Sequence, residues 1–122
     1  MPSADRPARA RAGAQAEALA ARFLESHGLA IVARNVRYRM GEIDLVAREG
    51  ATIVFVEVRL RRRSDFGGAA ESITAAKRAR IRAAAGLYLS RLPRLPACRI
   101  DAVLLDSLDP TRIRWVKDID AN

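Results

Sequence analysis

A chain of 122 residues, half of them hydrophobic, is long enough for one domain that buries roughly two-thirds of its unfolded surface without disulfide staples. No apolar run approaches the roughly 20 residues of a membrane span, and the opening MPSADRPARARAGAQ lacks the apolar block of a secretory signal, so a cytoplasmic protein without membrane association is expected. The net charge of +8, from 22 basic residues that are all Arg except Lys77 and Lys117, creates a field that attracts polyanions, nucleic acid first.

Residues 1–9 carry Pro and Arg without an apolar period and are expected to form a flexible basic tail. A single domain over 10–117 and a short C-terminal tail over 118–122 follow. From Ala10 to His27 the residues Ala16, Leu19, Ala20, Phe23 and His27 recur at helical spacing, and Gly28 is a stop signal. Glu17 sits at the border of that stripe, placed either for solvent or for the sheet beneath. Leu29 to Arg34 reads as a strand that continues through Val36, Arg37 and Tyr38, with Asn35 marking a bend. Gly41 to Arg59 reads as two strands broken at Arg48-Glu49-Gly50-Ala51. Leu60 to Ala70 reads as a loop that holds Arg61, Arg62, Arg63, Phe66 and the Gly67-Gly68 pair. Arginines and an aromatic in such a loop suit phosphate contact and base stacking, or else a solvated charge run.

Thr74 is a plausible N-cap for a helix from Ala75 to about Ser90, with Ile81, Ala84, Ala85, Tyr88 and Leu92 as its buried stripe and Pro93 beyond it. Lys77 falls on that same stripe in the first turn, so its ammonium must reach the sheet edge or meet an anion. Cys98 to Asp106 is apolar on both faces apart from Asp101, the pattern of a central strand in which Asp101 serves as a structural carboxylate. Arg112 to Val116 alternates like an edge strand anchored by Trp115. Helix, three strands, helix, two strands predicts an α/β domain with a mixed sheet of about five strands flanked by helices.

The hairpin from Gly41 to Arg59 carries the chemistry. Side chains alternate along a strand, so Glu42, Asp44 and Val46 share one face of the first arm, and Ile53, Phe55, Glu57 and Arg59 one face of the second. A connection of two or four residues puts both faces on the same side of the sheet. Asp44 then lies opposite Glu57 or one diagonal step away, roughly 4.5 to 8 Å between Cβ atoms. Two carboxylates at that distance repel unless a cation lies between them. The lone Cys98 offers no thiolate site, so any such ion is oxygen-bound, which points to Mg²⁺ or Mn²⁺.

Asp44, with Glu57-x-Arg59 thirteen positions on, resembles the PD-(D/E)xK pattern of restriction-endonuclease-like nucleases, with Arg in place of the final Lys. The wider set is Gly13-x-x-Ala16-Glu17, Gly41-Glu42-Ile43-Asp44-Leu45, Phe55-Val56-Glu57-Val58-Arg59-x-Arg61, Lys77 and Arg99-x-Asp101. It resembles the YraN family of bacterial proteins from Ala10 to about Val116. The resemblance implies a restriction-endonuclease-like fold similar to Holliday-junction resolvases, with DNA as the expected partner. Resolvases of this fold commonly act as dimers, so a homodimer is among the expectations.

On this reading Asp44, Glu57 and Arg59 form the catalytic set. Asp44 and Glu57 hold the metal, with Glu17 or the Val58 carbonyl completing the site, while Arg61, Arg62, Arg63 and Lys77 contact nucleic acid and Glu42 and Asp101 give support. The function expected is nucleic-acid binding with metal-assisted phosphodiester hydrolysis, on branched or structured DNA. Arginine stays protonated at ordinary pH and cannot act as the base, so a catalytically inactive nucleic-acid-binding module stands as the alternative. A basic module that docks on an acidic surface is a third.

Overall fold

A computed structural model describes residues 5–61 and 73–120. Helix α1 spans Asp5–Ser26, so the segment expected as a tail over 1–9 is helical from Asp5 onward. Pro7 is tolerated in the first turn, where the N–H it lacks has no intrahelical partner, and the Ala-rich run behind it has high helix propensity. The chain leaves the helix through Gly28, at φ 90°, and the Leu29 N–H bonds back to the Leu24 carbonyl at 3.1 Å. The buried stripe is Ala16, Ala20, Ala21 and Leu24. His27 lies past the helix end and stays exposed, its ring 4.3 Å from that of Phe23.

Strands β1 (Ala30–Tyr38), β2 (Gly41–Glu49) and β3 (Thr52–Leu60) form an antiparallel meander. Helix α2 (Ala75–Leu89) then crosses over to β4 (Cys98–Leu105), which runs parallel to β3. Parallel neighbours need such a crossover. β5 (Ile113–Val116) closes the sheet antiparallel to β4, in the order β1-β2-β3-β4-β5. The mixed five-stranded sheet with its two helices is the α/β architecture that the sequence pattern predicts. Leu60, placed in the loop by that pattern, ends β3, and the Arg61 N–H bonds the Leu105 carbonyl at 2.7 Å. Arg62, Arg63, Phe66, Gly67 and Gly68 lie outside the described residues.

One face of the sheet packs on α1, with Ala16, Ala20 and Leu24 against Leu45, Ala47, Val54, Val56, Val103 and Leu105. The other packs on α2, with Ile81, Ala84 and Ala85 against Ile43, Val46, Phe55 and Ile100. Three layers result, and β4 is buried on both faces. The Thr74 hydroxyl caps α2 by accepting from the Lys77 N–H at 3.2 Å. The helix ends at Leu89, short of Pro93, leaving Leu92 beyond it. Among the described residues no helix is long and apolar enough to cross a membrane.

Asp101, 0% exposed, is a structural carboxylate. It accepts from Arg99 Nε at 3.0 Å, Trp115 Nε1 at 2.9 Å and the Asp118 N–H at 2.9 Å. Arg99 in turn bonds Glu49 at 2.8 Å. A buried charge costs little only when its lone pairs are occupied in this way. The network ties β4 to β5 and to the segment after it.

Candidate active site: a carboxyl pair between β2 and β3

Gly50, at φ 60°, and Ala51 form the two-residue turn between Glu49 and Thr52. An even count keeps the side-chain alternation of the two strands in phase. Their ladder runs from Glu49↔Thr52 to Leu45↔Val56, so one further step sets Asp44 across from Glu57. There the Asp44 side chain replaces the ladder, its Oδ2 accepting from the Val58 N–H at 2.8 Å.

The Asp44 and Glu57 carboxyls lie close enough for each to shift the other's titration. Two carboxylates at this distance repel, which favours the protonated form of one of them. Burial, reinforced by the charge of Asp44, pushes Glu57 up to about 8. Burial also raises Asp44, against the lowering influence of the Val58 N–H and the Glu57 side chain. At neutral pH Glu57 therefore tends to keep its proton beside Asp44.

Three other elements converge on this pair. From β1, Asn35 stands opposite Asp44 at φ 51°, between the pairs Arg34↔Leu45 and Val36↔Ile43. Ile43 and Val46 both pack on the α2 side although an odd number of positions separates them, so the alternation slips here. From α1, Glu17 comes near Asn35 and Asp44; burial and then the Asp44 charge raise its pKa, against a lowering influence of the Asn35 side chain. From α2, Lys77 acts on Glu57 with its positive charge, and Arg59 does so on both members of the pair.

The carboxyls open on a cleft of about 420 Å³ between the β1–β2 turn and the first turns of α2, walled by Arg39, Met40, Lys77 and Arg80. Gly41 makes this approach possible: a Cβ there would overlap the main-chain carbonyl of Arg80. Glu42 also lines the cleft and pairs with Arg37 at 3.5 Å. Across such exposed side chains the pair contributes little.

Of the residues singled out from the sequence, the structure gathers Asp44, Glu57, Arg59, Glu17, Glu42 and Lys77 around one site. Asp101 stands apart in its own network. Arg61 is exposed just past β3, at the end of the strand that carries Glu57. Among the described residues no three Asp, Glu, His or Cys side chains are grouped as a preformed metal cluster. Glu17 is linked to the pair by charge alone, the Asp44 carboxylate raising its pKa.

Asn35, Arg39, Met40 and Arg80 belong to the site without having been singled out for it. The bend at Asn35 is a visible signal. The approach of the hairpin to α2 leaves none except the glycine.

Residues 16–105 match the model of the uncharacterised protein family UPF0102. The chain belongs to that family. The YraN resemblance of the sequence blocks names the same group. The UPF0102 protein of Methylobacillus flagellatus is 54% identical over 106 residues, covering 87% of this chain and 93% of the relative. Those of Cupriavidus metallidurans and Symbiobacterium thermophilum are each 47% identical, covering 97% and 85% of this chain and 87% and 89% of their own lengths. The UPF0102 match runs from α1 to the end of β4 and so takes in Glu17, Asp44, Glu57, Lys77 and Asp101.

Proposed function

We propose that this UPF0102 protein binds nucleic acid and hydrolyses phosphodiester bonds with a divalent cation at Asp44 and Glu57, on a restriction-endonuclease-like fold. The placement of Asp44 opposite Glu57 at the mouth of a cleft carries the reading. Two acids that need a positive charge between them open on a cleft bordered by Arg39, Lys77 and Arg80, and a bound cation would supply that charge. The donor set is all oxygen, which suits Mg²⁺ or Mn²⁺. Val58 adds a third donor: its amide points at Asp44, and the amide and carbonyl of one strand residue face the same side. A bound ion would supply Lewis-acid activation of water and offset charge on the phosphate.

The chain's own groups do the rest. Glu17 adds negative potential around Asp44, which strengthens cation attraction. Lys77 and Arg59 bring positive charge to the carboxyls, the kind of charge that attracts phosphate oxygens. The net charge of +8 favours DNA as the polyanion, and likeness to Holliday-junction resolvases points to branched or structured DNA cut by a homodimer. A second reading rests on Arg59. Its guanidinium cannot take a proton from water, which favours a nucleic-acid-binding module without turnover or a basic interaction module.

Calorimetric titration with Mn²⁺, paired with nicking of junction, flap and duplex DNA, separates these. Wild type is expected to bind Mn²⁺ with release of a proton near pH 7 and to nick in its presence. Asp44→Asn should do neither, and Arg59→Lys should nick faster. DNA binding without metal uptake or nicking leaves the inactive module; no DNA binding at low salt leaves the interaction module.

A further inference from the structure

We propose that the β1–β2 turn is a wedge, with Met40 inserted against a nucleobase displaced from its stack and Arg39 on the adjoining phosphate. The cleft then selects nucleic acid with an unpaired or branch-point base over continuous duplex. This rests on the reading of the cleft as a nucleic-acid site and adds the residue that sets its substrate preference.

The turn is unusual for its length. Tyr38↔Gly41 closes it around only Arg39 and Met40, and two-residue hairpin turns ordinarily need φ above zero, supplied by Gly or Asn. Among the described non-glycine residues only Asn35 and Asp118 have positive φ. Arg39 and Met40 therefore form neither of the usual two-residue hairpin turns. Met40 is 55% exposed at the cleft, whereas the other exposed large apolar residues, Val32, Leu95 and Leu108, lie outside it.

The tip is also held at both ends. Gly41 abuts the Arg80 backbone, and the Arg91 guanidinium sits 5.4 Å from the centre of the Tyr38 ring. An exposed apolar side chain on an anchored turn, flanked by exposed cations, here Arg37, Arg39 and Arg80, matches what separates two bases while phosphates are gripped on either side. Met40 lines the same cleft as Asp44 and Glu57, so the distorted step lies near the carboxyl pair.

Binding of the full chain is measured in EDTA to a DNA duplex with one unpaired 2-aminopurine and to its fully paired twin. Wild type is expected to bind the interrupted duplex about tenfold more tightly and to change the 2-aminopurine fluorescence. Met40→Ser should equalise the two affinities and abolish the fluorescence change. Leu95→Ser should alter nothing. Equal wild-type affinities, or a preference that survives in Met40→Ser, overturn the wedge alone. Failure to bind either duplex overturns the nucleic-acid reading and the wedge with it.

Discussion

Glu57 keeps its proton to about pH 8 against an ordinary value of 4.5, because burial and the neighbouring Asp44 charge both oppose ionisation. Between those two pH values the folded protein holds a proton that the unfolded chain has released. This contribution to stability is therefore complete below about 4.5 and is lost as pH rises toward about 8. Glu57→Gln keeps the shape and removes the titration. Urea unfolding at pH 5 and pH 8 should show a flatter pH dependence and, at the higher pH, a gain on the order of 1–3 kcal/mol. An unchanged slope would mean that Glu57 does not keep its proton. That residues 44 and 57 meet was legible from strand alternation and an even turn. Their joint titration was not, since desolvation comes from helices distant in the chain.

At the scale of elements, the hairpin and α2 are joined by what Gly41 lacks. Gly41→Ala places a methyl group on the Arg80 carbonyl and should cost about 1–3 kcal/mol in thermal unfolding, with weaker Mn²⁺ binding because the cleft is forced open. Gly13→Ala is the contrast. It sits inside α1 with nothing within 4 Å of an added Cβ, so it should be neutral or stabilising by about 0.5–1 kcal/mol. The sequence shows both glycines and does not tell them apart. Periodicity located both helices, and the Thr74 cap sits where residue type placed it. The stripe on α1 turned out rotated onto Ala21 and Leu24. Spacing alone cannot distinguish small residues that admit the sheet from larger ones at the rim, such as Phe23.

For the whole molecule, a charge of +8 on a 122-residue chain makes polyanion binding a salt-governed property. DNA affinity should fall steeply from roughly 50 to 200 mM salt. Replacing Arg61, Arg62 and Arg63 together by Ala should weaken binding equally across sequences and reduce the log–log salt slope by roughly 2–3. Mn²⁺ affinity should stay unchanged, whereas its loss would assign these arginines to the fold. Composition, strand alternation, turn count and cap chemistry are local properties, and they determined the element order, the sheet class and the facing of Asp44 toward Glu57. Tertiary structure decided the raised pKa of Glu57, the cleft between the β1–β2 turn and α2, the approach of Lys77 to Glu57, and the partners of Asp101. Each of these depends on water excluded, or backbone approached, by segments far apart along the chain, which no local pattern encodes.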